Sequence, residues 1–366
     1  MLLRSFLRLS TVLSALFTVA PAMASEPILQ PDPQTYELAG DLWAPGKDEA
    51  GQKNVAEDIS GIACIDLGGG KRRCLLINDE GGKAQFATIE DFRIEPKKRV
   101  DLIGEGPNPA TLGRQPKEPG CPDPRQRFKE LDGEGVAYAA PYFYVTGSHG
   151  CARRAKAFTL SAMLLARIRV TADGKADVAE GAEPEGAVET TWRLGDALAR
   201  AETVGAHFLK DLTDENGLNI EGLAVVGDDL YAGLRAPSLD GKAFLVAVSV
   251  EALFAKGHEP YAGTPRVIPI EVGEGAGIRD LTVLPDGQLL VLTGPAQFQD
   301  VPYRLFRFDP KGTATPVALG RLAPLDESEK RGKPEAITLV GGDRVLVFFD
   351  SLRNGAPRSY TVPGRR

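Results

Sequence analysis

The chain has 366 residues, of which 43% are hydrophobic and 25% are charged, and its formal net charge is −7. This composition belongs to a globular protein with a large core and excludes a disordered chain. The excess of acidic residues fits poorly with sequence-independent nucleic-acid binding, so we expect no nucleic-acid partner.

The first 24 residues have the pattern of a signal peptide. Arg4 and Arg8 give a positive start, 12–20 is apolar but short for a membrane span, and Ala22-Met23-Ala24 matches a cleavage site. The alternative is an N-terminal membrane anchor. No later apolar run is long enough to span a bilayer. We therefore expect a periplasmic or secreted protein whose mature chain, 25–366, is a single monomeric domain.

Export would place the four cysteines in an oxidising compartment, where two disulfides are expected. Cys64 ends one predicted strand and Cys74 begins the next, so a hairpin would bring them opposite each other. This favours the pair Cys64 and Cys74 and leaves Cys121 and Cys151 as the second pair. A zinc site is a poor alternative because the sequence has no C-x-x-C and the spacing suits no zinc motif.

A two-strand phrase occurs five times along the chain. Each copy has a polar start, a small residue, a short apolar run, a turn, and a second apolar run. The copies are 58–63 with 75–79, 132–137 with 142–146, 219–224 with 229–235, 278–282 with 289–293, and 333–338 with 345–350. Further apolar runs follow most copies, so four short strands per unit are predicted.

Four strands repeated radially indicate an all-β fold, a β-propeller. The copies are spaced more widely than the usual blade period of about 40 to 50 residues, so insertions are expected at about 104–131 and 180–218. Within the second insertion, 194–204 has helical spacing. Five motifs are visible, although the wide spacing leaves room for a sixth blade. The run 35–38 would supply an outer strand and close the ring. The alternative, a β-sandwich plus a second domain, does not account for the repeat.

The ends of the repeated strands predict where a site lies. Neighbouring strands are antiparallel, so the start of the first strand and the end of the second share one face. The residues expected around this mouth of the channel are Asp58, Ser60, Asp79, Glu80, Asp132, Glu134, Ser148, His149, Asn219, Glu221, Arg235, Arg279, Asp280, Gly294, Lys333, Glu335, Asp350 and Ser351. The residue that follows Ser60, Glu134, Glu221 or Glu335 is small, which would let neighbouring blades approach closely. In the fourth copy this position is occupied by Asp280 instead.

Carboxylates crowded in this way cannot all stay ionised unless something neutralises them. A divalent cation such as calcium is one solution, because it takes oxygen ligands. The candidate metal ligands are Asp58, Asp79, Glu134, Glu221 and Asp350. The alternative is a structural ring in which Arg235, Arg279 and Lys333 are internal ion-pair partners.

Two further residues have weaker signals. His149 follows Ser148 and could act as a base beside Asp79 or Asp350, but no G-x-S-x-G motif is present. Arg153 follows the second-strand end closely and could reach an anionic substrate at the mouth.

The five phrases together resemble a bacterial family catalogued as domain of unknown function 3616. The likeness includes "EGVAY" with "YFYVTGSH" at 134–149, "NIEGLAV" at 219–225 and "KPEAITL" at 333–339, and it extends over roughly 55 to 351. That family implies no activity. The repeats are more distantly similar to secreted propellers of the phytase-like esterase and lactonase-like families, which implies metal-assisted hydrolysis of a phosphoester or a lactone. Ser60 and Arg279 depart from a fully acidic ring.

Two hypotheses follow for function. In the first, the mouth binds a cation and hydrolyses a small phosphoester or lactone, with Glu134, Glu221, Glu335 and His149 as catalytic candidates. Arg235, Arg279 and Arg153 would then hold substrate charge. In the second, the propeller is a non-catalytic binding module for an envelope protein or polymer.

Overall fold

The structure is a computed structural model, and it describes residues 26–47, 52–117, 120–153, 156–312 and 315–364. The predicted signal peptide lies outside the described residues, so cleavage and export stay predictions. Within the described ranges, no helix is long and apolar enough to cross a membrane.

Short strands precede the first blade. They are β1 (Ile28–Leu29), β2 (Pro31–Thr35), β3 (Glu37–Leu38), β4 (Trp43–Lys47) and β5 (Lys53–Val55). Strands β4 and β5 pair with each other as a two-stranded ribbon. Blade one then follows as an antiparallel sheet. Its strands are β6 (Ile59–Asp66), β7 (Arg72–Asn78), β8 (Lys83–Glu90) and β9 (Arg93–Asp101).

Blade two is interrupted by two added elements, β10 and β13, which pair with each other. The strands of this region are β10 (Asp123–Arg127), β11 (Gly133–Ala139), β12 (Tyr142–Gly147), β13 (Ala157–Thr159), β14 (Leu165–Arg169) and β15 (Val188–Thr191). The blade itself is β11-β12-β14-β15. The predicted insertion at 180–218 therefore contains the fourth strand of blade two as well as a helix, α1 (Arg193–Ala199).

The last three blades are more regular. Blade three comprises β16 (Asn219–Val226), β17 (Asp229–Leu239), β18 (Lys242–Ser249) and β19 (Arg266–Glu271), with α2 (Val250–Leu253) before β19. Blade four comprises β20 (Ala276–Val283), β21 (Leu289–Pro295), β22 (Arg304–Phe308) and β23 (Val317–Leu322). Blade five contributes β24 (Lys333–Gly341), β25 (Arg344–Asp350) and β26 (Arg358–Thr361). Short 3-10 helices occupy Leu160–Met163, Pro184–Ala187, Gly205–His207 and Arg353–Gly355.

The first strand of each blade lies innermost, and each contacts the first strand of the next blade around a closed ring, including β24 against β6. These strands are covered on both faces, so most of their successive residues are buried rather than every second one. The described residues thus form five blades, which confirms the propeller and decides the blade number.

The core lies between successive blades rather than in one central cluster. Between blades one and two, the rings of Phe86 and Phe143 meet with centroids 6.2 Å apart. Between blades two and three, Leu223 and Leu234 are fully buried. Each such side chain stabilises the fold by about 1.5 to 3 kcal/mol relative to exposure. Five inter-blade clusters therefore hold the ring together.

The N-terminal segment closes the ring, but the strand that does so is formed by different residues from those predicted. Pro31–Thr35 pairs with β26 as the outer strand of blade five, whereas the sequence had suggested 35–38. Glu37–Leu38 instead joins β9 of blade one, and Ile28–Leu29 joins β23 of blade four. The segment thus covers the outer edges of three neighbouring blades. Covered edges expose fewer unpaired backbone groups.

Both predicted disulfides are present, between Cys64 and Cys74 and between Cys121 and Cys151. The first joins directly opposed residues of β6 and β7. The second ties the segment before β10 to the loop after β12. Disulfides of this kind are typical of proteins from oxidising compartments.

Candidate active site

A β-bulge occurs at the same position in the inner pair of strands of every blade. In blade three, Ile220 pairs with Leu234 and Gly222 pairs with Gly233, which leaves Glu221 without a partner. The residues left out in this way are Ser60, Glu134, Glu221, Arg279 and Glu335. A bulge re-aims the side chain of its extra residue. All five residues are buried near the start of an inner strand, at the end of the channel that we call the mouth.

The residue after each bulge sets how closely the blades approach. A Cβ atom on Gly61 would lie 2.5 Å from the carbonyl oxygen of Glu134, and one on Gly135 would lie 2.7 Å from the Cβ of Leu223. A Cβ on Gly222 would meet Leu281 at 2.8 Å. The prediction that these small residues permit close packing is confirmed.

Asp280 occupies the same position in blade four. Here the carboxylate of Asp280 contacts the next blade, whereas in blades one, two and three a glycine lets the two backbones approach. Its Oδ2 accepts a hydrogen bond from the backbone N–H of Ile337 in blade five at 2.6 Å, and its Oδ1 accepts one from Leu281 at 2.7 Å. Asp280 is fully buried, and burial raises its pKa well above the ordinary value despite these donors. This side chain therefore joins two blades.

On one side of the mouth, buried arginines neutralise two of the predicted catalytic glutamates. Arg235 Nη1 donates to Glu221 Oε1 at 2.5 Å, and Arg279 Nε lies 2.9 Å from Glu221 Oε2. Arg279 Nη2 also forms an ion pair with Glu335. Arg235 Nε donates to the carbonyl of Ala296 at 2.7 Å. Glu221 thus lies between two guanidinium groups, and Arg235 donates a charge-assisted hydrogen bond to it.

On the opposite side, carboxyl groups lie together with few cations. Burial, together with a hydrogen bond to Asp350 and the charge of that residue, raises the pKa of Asp58 to about 7. Although burial alone would raise the pKa of Asp350, hydrogen bonds from Asp58, Lys333 and Ser351 hold it below the ordinary value. Lys333 Nζ lies 2.7 Å from Asp350 Oδ2. Asp58 and Asp350 therefore share a proton near neutral pH.

Asp79 and Glu134 lie between these two regions. Burial, followed by the charges of Asp58 and Asp132, raises the pKa of Asp79 to about 8. Asp79 Oδ1 is enclosed and has no hydrogen-bond partner among the described residues. Burial, followed by the charge of Glu221, raises the pKa of Glu134 well above its ordinary value. Glu134 therefore keeps its proton to a higher pH than an ordinary glutamate does.

Three residues at the mouth have left-handed backbone conformations that non-glycine residues rarely adopt. Their φ angles are 52° at Asp132, 53° at His149 and 68° at Ser351. Ser148 Oγ donates to Asp132 Oδ2, which links the start of β11 to the end of β12. Such conformations cost energy and tend to occur at functional positions.

His149 is not brought to the carboxylates. It is fully buried, and its Nδ1 lies 3.0 Å from the carbonyl oxygen of Gly147, with its ring beside Gly195 of α1. Burial lowers its pKa to about 4, so the ring is neutral. No carboxylate is a hydrogen-bond partner of this ring among the described residues. The arrangement does not support the suggested serine–histidine pair.

Arg153 is exposed, and it lies close enough to Asp132 for its charge to lower the pKa of that carboxyl, although burial dominates and raises it. Sequence reasoning missed Tyr303, whose ring packs over Gly294 where a Cβ would clash. Burial raises the pKa of Tyr303. Gly294, the one glycine among the predicted second-strand ends, was the signal in the sequence that a large side chain lies against this position.

The proposed calcium ligands do not form a metal site as they are arranged. No group of three or more His, Cys, Asp or Glu side chains in the described part of the chain could hold a metal ion. Glu221 is taken up by two arginines, whereas Asp58 and Asp350 bond to each other. Calcium binding therefore stays a prediction that this geometry does not favour.

Comparison with known proteins gives a family and distant structural likenesses. The family model described as "Protein of unknown function (DUF3616)" matches residues 121–358. No curated protein sequence matches the chain significantly.

Among solved structures, a Lactobacillus plantarum protein is 13% identical with a TM-score of 0.33, and the match covers 82% of this chain and 66% of that one, just under two thirds of its length. A structure from a study of family 130 mannoside phosphorylases and of glycoside hydrolases that target β-1,2 mannosidic linkages in Candida mannan is 14% identical, with coverages of 93% and 95% and a TM-score of 0.37. A putative 6-phosphogluconolactonase from Bacteroides uniformis is 9% identical, with coverages of 78% and 76% and a TM-score of 0.33. Likenesses at this level say nothing about activity.

Proposed function

The chain belongs to the family described as "Protein of unknown function (DUF3616)", a description that names no activity, and we propose from the site itself that it is an exported hydrolase that opens a small lactone at the channel mouth. The observation that supports this is the contrast between two neighbouring glutamates. Burial and the charge of Glu221 raise the pKa of Glu134 well above its ordinary value, while Glu221 forms buried ion pairs with Arg235 and Arg279. Environments that push carboxyl pKa values apart mark acid and base roles.

Glu134 and Asp79 are assigned the proton transfers. Asp79, whose pKa is about 8, would act in its ionised form above that pH, where it would accept a proton from a water molecule whose oxygen attacks the lactone carbonyl carbon. Glu134 would donate a proton to the ring oxygen as the ester bond breaks, which releases a hydroxy acid. Glu221 would act as a positioning group whose charge raises the pKa of Glu134, while Arg235 partly offsets this effect.

A neutral ester suits this mouth better than a phosphoester. The pKa of Asp350 is held below its ordinary value and that of Asp58 is about 7, so both carry negative charge above neutral pH and an anionic phosphate would meet like charge. Arg235 and Arg279, which could offset that charge, are already engaged by Glu221 and Glu335. We therefore propose a lactone, rather than a phosphoester, as the substrate.

The test is a panel of chromogenic lactones, aliphatic esters and phosphoesters, assayed with calcium and with a chelator. We expect lactone hydrolysis that falls about 100-fold or more in Glu134→Gln and Asp79→Asn, as loss of an acid or base predicts. The matched control is Asp66→Asn, at the far end of β6, where an exposed carboxylate pairs with Arg72. Equal turnover in all four proteins, or none in the wild type, contradicts the proposal.

The ion pairs also favour a second candidate, a non-catalytic propeller that binds an envelope protein or polymer. Arg235 and Arg279 neutralise Glu221 and Glu335 within the protein, as a purely structural ring requires. An inactive wild type that is stable across the panel conditions would make this candidate the better account.

A further inference from the structure

A pocket of about 400 Å³ adjoins the mouth, between the ribbon of β4 and β5 and blade one. We call it the ribbon pocket. Its carboxylates belong to Asp41, Glu57, Asp58 and Glu80, and Arg353 is its one lining cation among the described residues. Ala44 and Val55 add apolar wall. The pocket thus combines acidic oxygens with a patch that can cover methylene groups.

The charges of the ribbon pocket are not balanced from within. Arg353 is taken up by Asp41, with both carboxylate oxygens 3.0 Å from Nη2. Among the described residues, the one ion-pair contact of Glu57 is a long one of 3.8 Å to the exposed Arg331. Glu80 forms no ion pair among the described residues. Asp58 bonds to another carboxyl group, Asp350. The pocket therefore has an excess of hydrogen-bond acceptors and negative charge.

A buried amide adds an independent sign that a donor is missing. Asn78 is 4% exposed and lines the pocket. Its Nδ2 donates to the carbonyl of Trp43 at 2.9 Å, which fixes the orientation of the amide. Its Oδ1 has no partner among the described residues. A buried acceptor without a donor costs about 1 to 3 kcal/mol, so a ligand that brings N–H groups would remove a penalty.

From this arrangement we propose that the ribbon pocket binds a small organic cation, an alkylammonium group whose N–H donors meet Asp58, Glu80 and Asn78. An ammonium ion supplies three donors and one positive charge in a compact head. Ala44 and Val55 would contact its alkyl chain. No group of three or more His, Cys, Asp or Glu side chains in the described ranges could hold a metal ion, and calcium is the competitor in the test. Binding needs no catalytic step, so it stands or falls apart from the lactone proposal.

The test is calorimetric titration of the full chain at low ionic strength with cadaverine, a five-carbon diamine, and with glutarate, a dicarboxylate of the same length. We expect cadaverine to bind, glutarate not to bind, and added salt to weaken cadaverine binding because charge attraction is screened. Asp58→Asn and Glu80→Gln should each weaken binding about tenfold, as loss of a charge-assisted hydrogen bond predicts.

The control variant is Glu95→Gln, which removes an exposed carboxylate paired with Lys97 on β9 of the same blade. It should bind cadaverine as the wild type does, and melting temperatures confirm that each variant is folded. The proposal would be overturned if cadaverine did not bind, or if Glu80→Gln bound cadaverine as tightly as the wild type does. Displacement of cadaverine by calcium at equal concentration would also overturn it.

Discussion

Arg279 is 2% exposed and contacts two glutamates, so the balance of buried charge at the mouth depends on single side chains. Removing one partner of a buried ion pair leaves an uncompensated charge and is strongly destabilising. Exposed pairs contribute little because water screens them.

Glu221→Ala should therefore lower the free energy of unfolding by about 3 to 5 kcal/mol, because it leaves Arg235 and Arg279 without their shared partner. Denaturant unfolding measures this. The control is Glu327→Ala, whose exposed pair with Lys330 should contribute at most about 1 kcal/mol. A similar loss of unfolding free energy in both variants would contradict the claim that Glu221 forms buried ion pairs with Arg235 and Arg279.

The pKa of Asp79 predicts how stability depends on pH. The folded pKa of about 8 is above the ordinary value of 3.8, so between these two pH values the unfolded chain releases a proton that the folded protein keeps. Stability should therefore fall as pH rises from about 4 to 8. Asp79→Asn removes this contribution, so its melting temperature should fall less across that range, by roughly 5 to 10 °C. An identical fall in both proteins would place Asp79 in solvent.

For individual residues, the sequence predicted which acidic and basic side chains lie at the mouth, but it did not predict their ion-pair and hydrogen-bond partners. The repeat placed Glu134, Glu221 and Arg279 in one column because they occupy equivalent positions. It could not show that Asp280 bonds to Ile337, since that contact joins residues far apart in sequence. The isolation of His149 was also hidden, because burial depends on α1, which packs beside it.

Between residue and molecule, the repeated element is an inner hairpin with a bulge followed by a small residue. The bulge re-aims one side chain per blade, and the small residue lets the next blade approach. The sequence showed the small residue directly, whereas the bulge became visible only from the register of pairing. The outer strand of blade five was misplaced by several residues because Pro31–Thr35 has no clear strand pattern of its own.

Gly135→Ala tests the close approach. Its Cβ would lie 2.7 Å from Leu223 Cβ and 2.9 Å from Leu223 N, so the backbones of two blades would have to separate. Overpacking of this kind costs about 1 to 3 kcal/mol. Gly106→Ala is the matched control, since nothing lies within 4 Å of its added Cβ. Denaturant midpoints that shift equally would contradict close blade packing at Gly135.

For the whole molecule, ring closure is what turns five separate phrases into one site. Strand β24 contacts β6, and the N-terminal strands cover the edges of blades four, five and one. The sequence could predict a propeller and both disulfides because these follow from repetition and from the even set of cysteines. It left five or six blades open because the insertions in blade two lengthen the spacing between repeats.

Closure has one chemical consequence that can be measured directly. It places the bulged Glu134 of blade two within the electrostatic reach of Glu221 in blade three, and burial together with that charge keeps Glu134 protonated. Carbon-13 NMR of protein labelled at glutamate carboxyl carbons reports each titration, and Glu134→Gln identifies the resonance by its loss. We predict that this resonance titrates well above the ordinary glutamate pKa of about 4.5, and that Glu221→Gln lowers its midpoint. A Glu134 resonance that titrates together with the exposed glutamates would contradict the account.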